Sequence, residues 1–101
     1  MDVTLLYLDG CPNWRLADER LRTLADELGF ELDHHEVDTP EAAQELGFRG
    51  SPTVLIDGHD PFAEGDEPVG LSCRIYRTAD GPAGVPTLEE LREALGGGHR
   101  R

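Results

Sequence analysis

The stretch "VTLLYLDGCPNW", residues 3–14, sets the terms on which the rest of the chain is read. Val3 to Leu8 form a continuous apolar run with β-branched and aromatic members, the pattern of a strand buried on both faces. Asp9-Gly10 breaks the run, and from Pro12 onward the periodicity changes. Trp14, Ala17, Leu21, Leu24 and Leu28 recur every three or four residues, which makes one apolar face of a helix. Arg15/Glu19 and Asp18/Arg22 are opposite charges four apart on its wet face, and Gly29 supplies the stop. Cys11 therefore lies at a strand-to-helix joint. Proline prefers the first helical position, so Pro12 marks Cys11 as the expected N-cap, with its sulfur facing the N–H groups of Asn13 and Trp14. The positive end of a helix favours thiolate over thiol.

Working outward, residues 30–37 read as a polar strand suited to a sheet edge. Thr39 as N-cap, Pro40 as first helical residue and Gly47 as stop define a short second helix. "TVLID" (53–57) is a second buried strand, entered through Ser51-Pro52, where a missing N–H is tolerated. Residues 58–70 make an acidic, Pro/Gly-rich segment, long for a hairpin loop. "LSCRIYR" (71–77) reads as a further strand, and Thr87 with Glu90 forms a capping box for a last helix. The expected fold is α/β, in the order β-α-β-α-β-β-α, with a four-stranded mixed sheet, a right-handed crossover between the first two strands and helices on both faces. Residues 1–95 form the domain, and 96–101 are expected to be a disordered tail.

Composition narrows the function. The chain has 101 residues, one domain's worth, with 21 acidic against 9 basic residues and a formal charge of -12. Every basic residue is arginine, which excludes Schiff-base and P-loop lysines. Nucleic acid is not an expected partner, since such a charge repels it at range. No run approaches the length of a membrane span, and the first strand starts too early to leave room for a signal peptide, so neither membrane association nor export is expected. Cytoplasmic localisation follows, and Cys11 and Cys73, 62 residues apart, are expected as free thiols there.

In the expected topology the Ser51-Pro52 bond comes to the same end of the sheet as Cys11. With "CPNW" after the first strand and "GSPTVLIDG" leading into another, the chain resembles the thioredoxin and glutaredoxin superfamily over nearly its whole length. By that resemblance the fold is thioredoxin-like, Cys11 is the attacking cysteine and Pro52 the cis-proline, with Ser51 offering backbone groups to an extended substrate. Pro12 and Trp14 complete the motif beside it and, with Ser51 and Pro52, are the expected substrate-binding residues. Trp14 stands where dithiol members carry the resolving cysteine, and Asp9-Gly10 replaces the lysine of many glutathione-binding glutaredoxins. The resemblance implies thiol–disulfide exchange of monothiol type. Cys11 forms a mixed disulfide with a low-molecular-weight thiol or a disulfide-containing protein, and a second thiol from solution releases it.

Cys73 is the possible second thiol. Placed early in a strand entering from the far end, it falls about 13 Å from Cys11, beyond the Cα separation of about 7 Å that a disulfide spans. The expectation is a small buried residue without a catalytic role. Trp14 reads as an anchor of the first helix, and Arg15 and Arg49 as solvated charges. No metal or other cofactor is expected. His34 and His35 are adjacent on a strand and point to opposite faces, and no histidine has zinc-ligand spacing to a cysteine. The acidic loop lacks an EF-hand's ligand order. Two alternatives stand beside exchange: a non-catalytic thioredoxin-fold binding module, and alkylmercury lyase-like or soft-metal chemistry drawing on Cys11, Cys73 and Asp9.

Overall fold

The computed structural model describes residues 1–63 and 69–96. Strand β1 (Asp2–Tyr7) leads into helix α1 (Asn13–Leu28), strand β2 (Glu31–Glu36), helix α2 (Pro40–Leu46) and strand β3 (Thr53–Ile56). After the 58–70 segment come the short strands β4 (Tyr76–Thr78) and β5 (Gly81–Ala83), then helix α3 (Leu88–Ala94). β1 is central in a three-stranded mixed sheet of order β2-β1-β3, parallel to β2 and antiparallel to β3.

The continuous apolar run of β1 has a simple cause: both of its faces are covered. Val3 and Leu5, with Val54, pack against Ala17, Leu21 and Leu24 of α1 and against Leu91 and Leu95. Leu6, on the opposite face, packs with Val37, Ala43 and Phe48. Burying each of these large aliphatic or aromatic side chains contributes about 1.5–3 kcal/mol. Among the described residues β2 has a neighbour on one side only, and it is mostly exposed. The bidentate pair from Arg92 to Glu27 (2.8 and 2.9 Å) ties α3 to α1.

Local signals place the helix ends. Gly29 (φ 81°) and Gly47 (φ 65°) adopt the left-handed conformation that glycine takes without a steric penalty. The Thr39 hydroxyl accepts the Ala42 N–H at 3.1 Å, and Thr87 and Glu90 form the reciprocal box. At α1 the start falls one residue later than expected. Pro12 is the N-cap and Cys11 lies outside the helix.

The expected four-stranded sheet is not what forms. Residues 71–77 do not join β1 and β3 as a strand. A single bridge pairs Cys73 with Ser51, and β4 then pairs with β5 in a separate two-stranded sheet. The reason lies in which side chains face inward. Arg74 and Tyr76 are buried, while Leu71, Cys73 and Ile75 are exposed, Ile75 by 67%. An inward arginine needs a polar partner rather than an apolar sheet face, and Asp60 provides one. Of the expected tail, Gly96 is described and residues 97–101 lie outside the described residues. Among the described residues no helix is long and apolar enough to cross a membrane.

Candidate functional site

β3 runs antiparallel to β1 with Leu6 opposite Thr53. The residues just before Thr53 therefore lie beside those just after Leu6. That register brings Ser51 to the turn that follows β1. The Leu8 N–H donates to Ser51 Oγ at 3.0 Å, and the Cys11 N–H closes the turn onto the Leu8 carbonyl at 2.9 Å. The Ser51-Pro52 bond is cis, as the resemblance implies. Ser51 and Pro52 are fully buried, whereas Pro12 is exposed.

Cys11 is 1% exposed. Its thiol donates to the Ser51 carbonyl at 3.6 Å. The expectation that the sulfur faces the Asn13 and Trp14 N–H groups is thus corrected, because Cys11 precedes the N-cap and turns toward the cis-proline segment. Cys73 requires the larger correction. Its Sγ lies 2.6 Å from Cys11 Sγ and donates to it, and the residue is exposed rather than buried. The expected separation assumed a strand entering from the far end of the sheet. Instead the chain returns near Phe48, where the Gly70 N–H donates to the Phe48 carbonyl at 3.1 Å. It then runs parallel to the Ser51 segment. The Ser51 N–H donates to the Ser72 carbonyl at 2.7 Å, and the Arg74 N–H to the Ser51 carbonyl at 2.9 Å. Both backbone groups of Ser51 are held by the segment that carries Cys73.

Three residues that the sequence reading passed over fix this segment. The Arg74 guanidinium, with a side chain 3% exposed, pairs with Asp60 at 2.7 Å and reaches Thr53 Oγ1 at 3.3 Å. It also lies over the Tyr76 ring, 4.5 Å from the centroid. The Tyr76 hydroxyl donates to the Pro52 carbonyl. An arginine between the apolar Cys73 and Ile75 was the signal: a buried guanidinium requires a carboxylate, and Asp60 lies in the preceding loop.

Trp14 is half-buried, packs against the α1-side core and stacks on Tyr7 at 4.3 Å between ring centroids. The Arg15 guanidinium lies 4.9 Å from the Trp14 ring centre. Arg49 is half-buried. His34 Nε2 hydrogen-bonds with Asp18 Oδ1 at 2.5 Å. Among the described residues no group of three or more His, Cys, Asp or Glu is placed to hold a metal ion.

The electrostatics of the thiol pair have a direction. The hydrogen bond to Cys11 holds the Cys73 thiol above the ordinary thiol range, with desolvation and the charge of an ionised Cys11 acting the same way. Chemically, the site offers two thiols within bonding reach of each other, one exposed and one beneath it. Neither protein-family models, nor curated proteins, nor solved structures give a match to this chain.

Proposed function

We propose that this chain is a thioredoxin-like protein of the cytoplasm that exchanges thiols and disulfides through Cys11 and Cys73. The observation that carries the reading is the 2.6 Å approach of the two sulfurs beside the cis Ser51-Pro52 bond. A monothiol cycle needs a solution thiol to release the mixed disulfide. A second cysteine in contact with Cys11 removes that need, so the pair supports a self-contained dithiol cycle. The β1–α1–β2 unit with a cis-proline ahead of an antiparallel β3 supports the superfamily resemblance. A reducing compartment suits a pair that must return to the thiol state.

The favoured partner is a disulfide-containing protein. Leu71 and Ile75 flank Cys73 and are exposed, which suits an apolar polypeptide. The formal charge of -12 disfavours approach by an anionic small thiol.

The test is a redox titration. The protein is equilibrated with mixtures of reduced and oxidised dithiothreitol, quenched with acid and read by intact mass after alkylation. The expected result is a single two-electron transition between a dithiol and an internal Cys11–Cys73 disulfide. Two free thiols under every mixture would overturn the reading.

A second reading is favoured by the same contact: paired thiolates suit a soft metal, and Asp9 is an exposed carboxylate in the turn that delivers Cys11. It requires the reduced protein to release methane from a methylmercury salt, an outcome that exchange chemistry does not produce.

A further inference from the structure

We infer that Cys73, not Cys11, is the thiol that meets the substrate disulfide, and that Cys11 resolves the mixed disulfide from beneath. The inference rests on the exchange reading above and assigns the order of its steps. It reverses the roles that the motif around Cys11 implies.

Access is the first ground. Cys11 is 1% exposed, with its sulfur against the Ser51 carbonyl and Cys73 Sγ. Cys73 is exposed. An incoming disulfide reaches Cys73 without any movement of the chain. Reaching Cys11 first requires lifting the segment that covers it, which breaks both backbone hydrogen bonds to Ser51. It also pulls on the buried Arg74–Asp60 pair and on the Tyr76 hydroxyl bound at Pro52. Separating a buried ion pair is among the most costly local changes a small domain can make.

Backbone geometry is the second ground. The Ser72 carbonyl and the Arg74 N–H both point toward Ser51. In an extended segment the N–H and C=O of the residue between them point the other way. Those groups of Cys73 make no hydrogen bond among the described residues. An extended substrate can therefore lie along the outer edge of the segment while its disulfide meets Cys73.

The steps balance as follows. The Cys73 thiolate attacks one sulfur of the substrate R–S–S–R′, forming Cys73–S–S–R and releasing R′–S⁻, which takes the proton that Cys73 gave up. Cys11 then loses its proton, and its thiolate attacks Cys73 Sγ. The Cys11–Cys73 disulfide forms and R–S⁻ leaves, protonated in its turn. Two electrons and two protons pass from the protein thiols to the substrate sulfurs, and a low-molecular-weight dithiol returns them. The raised affinity of Cys73 for its proton slows the first attack near neutral pH but makes the thiolate a stronger nucleophile once formed.

The test uses dithiodipyridine, an uncharged disulfide that releases coloured thiopyridone. Reduced wild-type protein is expected to release two thiopyridones per chain and end as the internal disulfide. Cys11→Ser is expected to release one and to trap a stable mixed disulfide on Cys73. Cys73→Ser is expected to react at least about tenfold more slowly than Cys11→Ser, because its remaining thiol is buried. To keep the result independent of any misfolded variant, wild-type protein is also quenched early with limiting probe, and the modified cysteine is located by peptide mass. Early adducts on Cys11, or a folded Cys73→Ser variant reacting as fast as Cys11→Ser, would overturn the order and leave the pair standing. If wild type releases thiopyridone but forms no internal disulfide, the exchange reading itself fails.

Discussion

At Cys73 a neighbouring sulfur governs how tightly the proton is held. The hydrogen bond to Cys11 is the largest reason why this thiol sits above the ordinary range, and an ionised Cys11 adds to it. Both influences belong to one side chain. Cys11→Ala is therefore expected to lower the pH midpoint for alkylation of Cys73 toward that of a free cysteine and to raise its rate near neutral pH. Iodoacetamide labelling against pH, read at Cys73 by mass spectrometry, checks this; an unchanged or higher midpoint would refute it. The sign follows from the acid: removing a neighbour that disfavours the thiolate shifts ionisation to lower pH. Arg74 teaches the complementary lesson at this scale. Its identity was visible in "LSCRIYR", but periodicity weighs a run by its apolar majority, and the arginine at its centre settled which face turned inward. Ile75 is exposed because Arg74 and Tyr76 are not.

At the scale of elements, legibility follows the range of the signal. The helix over 13–28, its glycine stop, Thr39, Pro40 and the Thr87–Glu90 box rest on residues within a turn of each other, and the sequence marks each of them. The cis bond at Pro52 was legible only through likeness to a family. The course of the chain after β3 was not legible, because loop length announces an excursion without giving its direction. The separation assigned to the two cysteines failed for that reason. Gly50 shows what the returning segment demands of its neighbours. It holds φ 110°, and a Cβ there would lie 3.0 Å from Arg74 Cβ and 3.2 Å from its Cα. Gly50→Ala thus combines a strained backbone with a backbone clash, and is expected to cost about 2 kcal/mol. A urea melt measures that loss. Because the clash pushes the Cys73 segment away from Ser51, the variant is also expected to form its internal disulfide less readily against glutathione. A variant of wild-type stability and unaltered disulfide equilibrium would show that the segment is not held at Gly50.

For the molecule as a whole, the two cysteines staple one end of the sheet to a distant part of the chain. They stand 62 residues apart in sequence, yet their sulfurs touch in the folded state. Joining them leaves the native arrangement nearly as it is and denies the unfolded chain a large set of conformations. For a loop of this length the chain-entropy account gives about 4 kcal/mol of added stability. For a domain of this size that corresponds to a rise of about 20 °C in Tm. The oxidised protein is therefore expected to melt well above the reduced one, with no such difference in Cys73→Ser. Linkage gives the same quantity a second meaning: folding and disulfide formation reinforce each other, so an exchange protein built this way releases its electrons more readily when folded than when unfolded. A protein that instead lost stability on oxidation would place the two sulfurs in a contact that the bond distorts, and the cycle proposed for them would run against the fold. Thermal melts of the two redox states, each verified by thiol titration before and after heating, separate these outcomes.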